Sequence, residues 1–308
     1  MKPMQKYYDQ IRTQLSLYEK SVLTYLGISA AFALMFHQNI EKWDYIVGYH
    51  FALITSILAI NAIRIDEKGW LRFLKNWYIF LVFPVLFKEL TFLSQALFPY
   101  YLEPLIVSSE ERLFGLFAKY LFQPENKWLT ELMAFSYSFY YFLVPLVGIY
   151  IYRKRSFSEF EIFAFRFCTT MFICYGLFVL IPVRGPHHSV LAADPNALEG
   201  YFFLKLIHWM QSYGSAVGAA FPSSHVAATW IAAFSLKRVR PEWYRLALPF
   251  LILLTISVFY LRYHYIVDAI AGYALALVLD RYFERKLQPH AEMVIKPALP
   301  KATSGVKP

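Results

Sequence analysis

The stretch FPSSHVAATW, residues 221–230, sets a histidine where a polar run gives way to an apolar one. Further on, YLRYHYIVDAIAG, residues 260–272, sets His264 four positions before Asp268. On a helix beginning near His264 that spacing puts both side chains on one face. A carboxylate there can orient or charge-stabilise an imidazole, as in a nucleophile–base pair. Ser223 is a natural N-cap for a helix starting at the first motif. The free N–H groups of that helix's first turn, Ser224 included, carry the positive end of its dipole and suit an anion such as phosphate. IPVRGPHHS, residues 181–189, adds Arg184, His187 and His188. A lone helix-end histidine, or a lone Pro-Ser cap, is ordinary. Four ionisable groups gathered at one membrane depth (His225, His264, Asp268 and Arg184) are costly and point to chemistry.

Something must bring them to one depth, and the composition says what. Of 308 residues, 58% are hydrophobic and 17% charged, with a mean hydropathy of +0.40. Soluble domains carry about 25% charged residues. Eight apolar segments (21–37, 46–65, 77–98, 129–152, 161–182, 223–236, 244–262 and 265–283) approach the about 20 residues that cross a bilayer. The sixth is short and is expected to be sunk among its neighbours; Pro84 and Pro145 are expected to kink the third and fourth. The expected fold is all-α, a polytopic transmembrane bundle of six to eight helices with its active site at the membrane boundary. The net charge of +9 sits in short loops between apolar segments. Arg64, Lys68, Arg72 and Lys75, then Arg153–Arg155, Lys237–Arg240, Arg281–Lys286 and the N-terminal lysines fall on one side if there are eight crossings and both termini are cytoplasmic. That distribution speaks against nucleic acid as a partner. It also sends the sixth segment inward and the seventh outward, so the pair is a hairpin with His225 and His264 on the outer face.

The chain divides into an interfacial amphipathic helix over 1–20 (Tyr8, Ile11, Leu15 and Tyr18 on one face), N-terminal spans and an outer loop over 21–128, a core over 129–286, and a disordered tail over 287–308. A short interfacial helix is expected at SEERLFGLFAKYLF, residues 109–122. Cys168 and Cys174, six apart on one helix, cannot bridge each other, and no zinc spacing is present. The N-terminus shows no signal-peptide pattern. Lys88 and Glu89 sit inside a span, and one is expected to pair with Arg166. FSYSFYYF, residues 135–142, reads first as packing and boundary aromatics, second as lining for a lipid or polyol. His37, His50, His208 and His290 read as structural or solvated, without partners.

The motif PSSH followed by HYIVD resembles the type 2 phosphatidic acid phosphatase superfamily, most closely its inositolphosphotransferase branch, which includes the inositol phosphorylceramide synthases. The resemblance covers roughly 129–283. It implies His264 as a nucleophile that forms a phosphohistidine, Asp268 orienting it, and His225 as the acid that protonates the leaving alkoxide. Arg184, Ser223 and Ser224 would hold the phosphoryl oxygens, aided by His187 and His188. It implies no metal or other cofactor. This sequence departs from the superfamily pattern in four places. Ser224 replaces a Gly, Val258 an Arg and Leu177 a Lys, and Gly185 splits the Arg-Pro pair. Arg262, His187, His188 and Lys88 are the candidate replacements for the missing cations. The looser branch fits these departures better than ordinary lipid phosphatases do. The implied substrate is a membrane lipid phosphoester, with water, a polyol or a lipid alcohol as acceptor, cleaved on the extracytoplasmic face of a plasma (inner) membrane. The alternatives are a simple lipid phosphate or undecaprenyl-type pyrophosphate phosphatase, a zinc hydrolase on His225, His264 and Asp268, and a non-catalytic phospholipid-binding protein.

Overall fold

The structure, a computed structural model, describes residues 15–63, 69–121, 126–189 and 198–295. Among them the regular structure is helix, apart from a parallel bridge between Val183 and Ala219. In chain order the helices are α1 (Leu17–Met35), α2 (Trp43–Ala62), α3 (Trp70–Trp77), α4 (Val82–Leu93), α5 (Glu103–Leu121) and α6 (Lys127–Lys154). There follow α7 (Phe157–Leu180), α8 (Phe202–Gly214), α9 (Ser224–Val239), α10 (Pro241–Tyr260) and α11 (Ile266–Ile295).

Local chemistry sets their starts. Capping boxes open α1 (Ser16 with Glu19) and α7 (Ser156 with Glu159), each satisfying two otherwise orphaned donors. The Asn126 side chain accepts the amides of Trp128 and Leu129 at the start of α6. Pro241 occupies the first turn of α10, where a missing N–H costs nothing. The third apolar segment is not one kinked helix. It is α3, a 3-10 turn at Tyr78–Leu81, then α4, and Pro84 falls in the first turn of α4, where no helical hydrogen bond is lost.

Five stretches are long and apolar enough to cross a membrane by length and composition: Trp43–Ala62, Trp70–Leu93, Lys127–Lys154, Phe157–Leu180 and Pro241–Tyr260. Large apolar side chains such as Phe51, Leu81, Leu146, Leu180 and Ile252 stay exposed on their outer sides, a surface suited to hydrocarbon. The chain is a polytopic helical membrane bundle. As expected for the short segment, α9 is enclosed, packing against α6, α7, α10 and α11. Every residue from Val226 to Ala233 is buried, and its alanines let the neighbouring backbones approach.

The structure corrects several sequence expectations. Residues 17–20 belong to α1, with Tyr18 buried edge-on to Phe160; the rest of the expected interfacial helix, up to residue 14, lies outside the described residues. The helix expected at 109–122 starts earlier, at Glu103, and breaks at Gly115. The last helix does not stop at 287 but runs to Ile295, because Glu284–Gln288 are good helix formers even where the apolar pattern ends. Arg166 pairs with neither Lys88 nor Glu89. It bonds Asp280 at 3.0 Å, and Asp280 also takes Arg238 at 2.5 Å. Arg166 lies in the first half of α7, beside the middle of α11, whereas Glu89 lies near the end of α4. Nor is His50 without a partner: fully buried, it meets Glu89 Oε2 at 2.7 Å.

Candidate active site

Three segments distant in sequence are knitted together by backbone bonds at one end of the bundle. Val183 N–H donates to Gly218 O at 3.1 Å, and Ala220 N–H returns to Val183 O at 3.1 Å. Ser223 N–H donates to the carbonyl of Asp268 at 3.0 Å. Two glycines permit this closeness. A Cβ at Gly272 would lie 2.4 Å from the Ser223 carbonyl oxygen, and one at Gly185 would lie 2.5 Å from that of Tyr263. The glycine that splits the Arg-Pro pair is therefore the residue that lets the 184–188 segment lie on the 261–265 turn.

His264 sits in that turn, 4% exposed. Its Nδ1 is 3.0 Å from the Ala220 carbonyl and 3.5 Å from Asp268 Oδ2. The backbone carbonyl is thus the nearer partner, and Asp268 the second. Asp268 also accepts the Tyr265 amide at 2.8 Å, which holds the turn. With Nδ1 engaged, Nε2 is the nitrogen left for chemistry. Burial pushes the His264 imidazole down to about 4, against the opposing pull of the Ala220 carbonyl, so near neutral pH the ring is uncharged.

His225 opens α9, its ring centroid 5.8 Å from that of His264. Ser223 caps the helix as expected, its hydroxyl taking the Val226 amide at 3.4 Å, and both Ser223 and Ser224 are buried. The tyrosines of 135–142 are more than packing: Tyr137, Tyr140 and Tyr141 ring His225 at centroid distances of 5.3, 4.8 and 6.5 Å. His225 Nδ1, His188 Nε2 and the Tyr263 hydroxyl are buried without a protein partner. Buried polar atoms are usually paired, so unpaired ones gathered around two histidines mark where a ligand belongs.

The 184–188 segment supplies the rest. The His187 and His188 rings lie 4.0 Å apart, and His187 meets Tyr263 at 5.1 Å. Burial first, then the charges of His188 and His264, pushes His187 down to about 3. Burial, Lys88 and Arg184 lower His188 as well. Both can donate hydrogen bonds to a phosphate, but neither supplies the missing permanent cation. Lys88 Nζ donates to the Ser215 carbonyl at 3.0 Å, and Arg262 is buried with a left-handed φ of 64°.

Sequence reasoning missed the acids that hold this cluster. Arg184 Nε lies 2.6 Å from Glu103 Oε2, a fully buried carboxylate that also takes the Ser189 hydroxyl. Glu110 accepts the amides of Ile266 and Val267 at 3.1 and 3.2 Å, capping α11 beside His264. The signal was faint: two glutamates between apolar segments with no recognisable capping spacing. Glu110→Ala is expected to cost about 1–2 kcal/mol of stability, the usual loss for a cap, and to lower kcat by displacing the His264 turn. Thermal unfolding and steady-state kinetics check both, and Glu110→Gln, which keeps one acceptor oxygen, should fall between.

Among the described residues no three His, Cys, Asp or Glu side chains are grouped to hold a metal. No solved structure matches the chain. A PA-phosphatase related-family protein of Dictyostelium discoideum is 26% identical over 169 residues, 48% of this chain and 30% of the relative. The chain thus spans less than a third of that relative's length. The family model described as PAP2 superfamily matches residues 105–280, more than half of the chain, from α5 with Glu110 to the middle of α11. The match takes in His225, His264, Asp268 and the 184–188 segment together, and the chain belongs to the PAP2 superfamily.

Proposed function

We propose that the chain is a lipid phosphatase or phosphotransferase working through a phosphohistidine. Membership of the PAP2 superfamily supports phosphatase-type chemistry. The observation that carries the finer reading is the pairing of leftover nitrogens. His225 Nδ1, at the N-terminus of α9, is buried without a protein partner, and His264, its Nδ1 held by the Ala220 carbonyl, has Nε2 as its other ring nitrogen, the two rings 5.8 Å apart. His264 Nε2 attacks phosphorus and the P–O bond to the leaving group breaks. A proton held by His225 passes to the departing alkoxide. In the second step His225 takes a proton from water or an alcohol, whose oxygen attacks phosphorus and releases His264. The α9 amides, Ser223, Ser224, Arg184, His187 and His188 hold the phosphoryl oxygens, a fixed set of donors that costs no reorganisation in the transition state. The resemblance to the inositolphosphotransferase branch supports transfer to a polyol or lipid alcohol in place of water. The basic clusters support both termini on the cytoplasmic side of the plasma (inner) membrane and the site on the opposite face.

A panel of phospholipids incubated with the purified protein, with and without inositol, tests this reading. Free phosphate and transferred headgroup are both scored. The proposal expects one or both, undiminished by a chelator; loss of turnover on chelation would favour a zinc hydrolase, and no turnover of any lipid would favour a binding protein. The pH profile is a second check. The nucleophile must be uncharged, and burial holds His264 down at about 4. On a phosphodiester substrate, which does not itself titrate nearby, the acid limb of kcat/KM is therefore expected near pH 4; a limb near the ordinary histidine value would contradict a buried neutral nucleophile.

A further inference from the structure

The nucleophile is held by a backbone carbonyl, but the ring of His225 is held by side chains that no superfamily motif contains. His225 Nε2 lies 3.2 Å from the Tyr137 hydroxyl, and that hydroxyl receives Gln211 Nε2 at 2.7 Å. Tyr137 is in the middle of α6 and Gln211 in α8, so the chain of bonds ties the acid to two elements outside its own helix. A phenol has one hydrogen and two lone pairs. Gln211 takes one lone pair, leaving the hydroxyl one hydrogen and one lone pair for His225.

From this we infer that Tyr137 and Gln211 position His225 for proton transfer, an inference that rests on the phosphohistidine reading above. When Nδ1, the nitrogen with no protein partner, has given its proton to the leaving oxygen, neutral His225 keeps its hydrogen on Nε2 and donates it to the Tyr137 oxygen, so Nδ1 is bare to take the proton of the second step. When His225 is an imidazolium, Tyr137 accepts from Nε2–H in the same way, while Nδ1–H faces the leaving oxygen. The anchored hydroxyl serves both protonation states without moving the ring. The tyrosine is a positioning residue and does not touch the phosphate. The groups facing His225 are Tyr137, Tyr140 and Tyr141 from α6 and His264 from the 261–265 turn, with Asp268 of α11 behind His264.

The sign of the pH effect follows. A hydrogen bond to an ionised group is about twice as strong as a neutral one. Removing the Tyr137 oxygen therefore costs the imidazolium more than the neutral ring, and the pKa of the acid falls. In Tyr137→Phe the basic limb of the kcat profile moves to lower pH and kcat drops about 10- to 100-fold, the loss for one hydrogen bond to a charged group, while KM stays within about threefold, as for a group acting only on the chemical step. Gln211→Leu gives a smaller change in the same direction. Gln211→Glu keeps kcat nearer wild type than Gln211→Leu, because a carboxylate takes the phenol hydrogen and leaves the oxygen's lone pairs to accept Nε2–H.

The experiment follows consumption of short-chain phosphatidic acid and of phosphatidylinositol in micelles by wild type, the three variants and His264→Ala. If His264→Ala is as active as wild type, the phosphohistidine reading itself fails. If His264→Ala is inactive but Tyr137→Phe keeps the wild-type kcat and basic limb, the positioning role alone is overturned. Nitrogen-15 NMR of histidine-labelled protein in nanodiscs, with His225→Asn to assign the signal, needs no substrate. It is expected to show neutral His225 protonated on Nε2 in wild type and a mixed population in Tyr137→Phe. A wild-type ring protonated on Nδ1, or a ring unchanged by the substitution, overturns the inference.

Discussion

His264→Ala is expected to lower turnover by about a thousandfold or more, the scale on which loss of a covalent nucleophile is felt. No neighbour can take over. His225 presents its Nε2 to Tyr137 at 3.2 Å and sits at the start of another helix, while Asp268 is fully buried behind His264 with one oxygen on the Tyr265 amide at 2.8 Å. His225→Ala should cost less, about 10²–10⁴-fold, as for a general acid. Asp268→Asn should be milder than either, because the Ala220 carbonyl at 3.0 Å already holds Nδ1. That ranking separates this geometry from one in which the carboxylate alone orients the nucleophile. Steady-state rates on the lipid selected by the panel give the order directly, with far-ultraviolet circular dichroism to show that each variant is folded.

The second large effect is on stability and lies away from the site. Glu89 in α4 is 3% exposed and gathers four donors. Tyr25 and Ser29 of α1 reach Oε1 at 2.9 and 3.3 Å; Tyr49 and His50 of α2 reach Oε2, His50 at 2.7 Å. One carboxylate thus fastens three helices, with its acceptor sites filled. Glu89→Ala leaves His50 and three hydroxyls without their partner in an apolar setting. The expected loss is about 3–5 kcal/mol, the usual penalty for removing one member of a buried pair. Replacing both Glu89 and His50 by Leu should recover part of it, since an apolar pair leaves no stranded polar group. Unfolding in detergent reads the loss. The kcat per folded molecule should stay at the wild-type level, because nothing in this hub touches His225 or His264; a variant with unchanged stability but lost activity would place Glu89 in the reaction instead.

Much of the site was legible in the sequence because its signals are local. Four-residue spacing tied His264 to Asp268, a Pro-Ser cap marked the start of α9, and apolar runs with basic loops placed both histidines at one end of the bundle. The short sixth segment read correctly as enclosed, since 16 residues are few for a lipid-facing span, and its alanines suit a crowded interior. What stayed hidden depends on contacts between distant segments. Glu103 and Glu110 carry no spacing that marks them as clamps for Arg184 and α11. Tyr137 looked like one more boundary aromatic until α6 set it beside His225. The partner of Arg166 was misassigned because adjacent charges in one segment suggested a local exchange, whereas helix depth selects Asp280, 114 positions away. Gly185 looked like an interruption of a motif, and its reason, the Tyr263 carbonyl beneath it, exists only in three dimensions.

The central claim is a phosphoryl group carried on His264. Its most direct test is to mix the protein with a phospholipid radiolabelled in its phosphate, quench within a single turnover, and map the label by peptide. The account predicts a phosphoryl group stable in alkali and lost in acid, located on His264 and absent from His264→Ala. Turnover without any labelled protein, or a label on another residue, would contradict it.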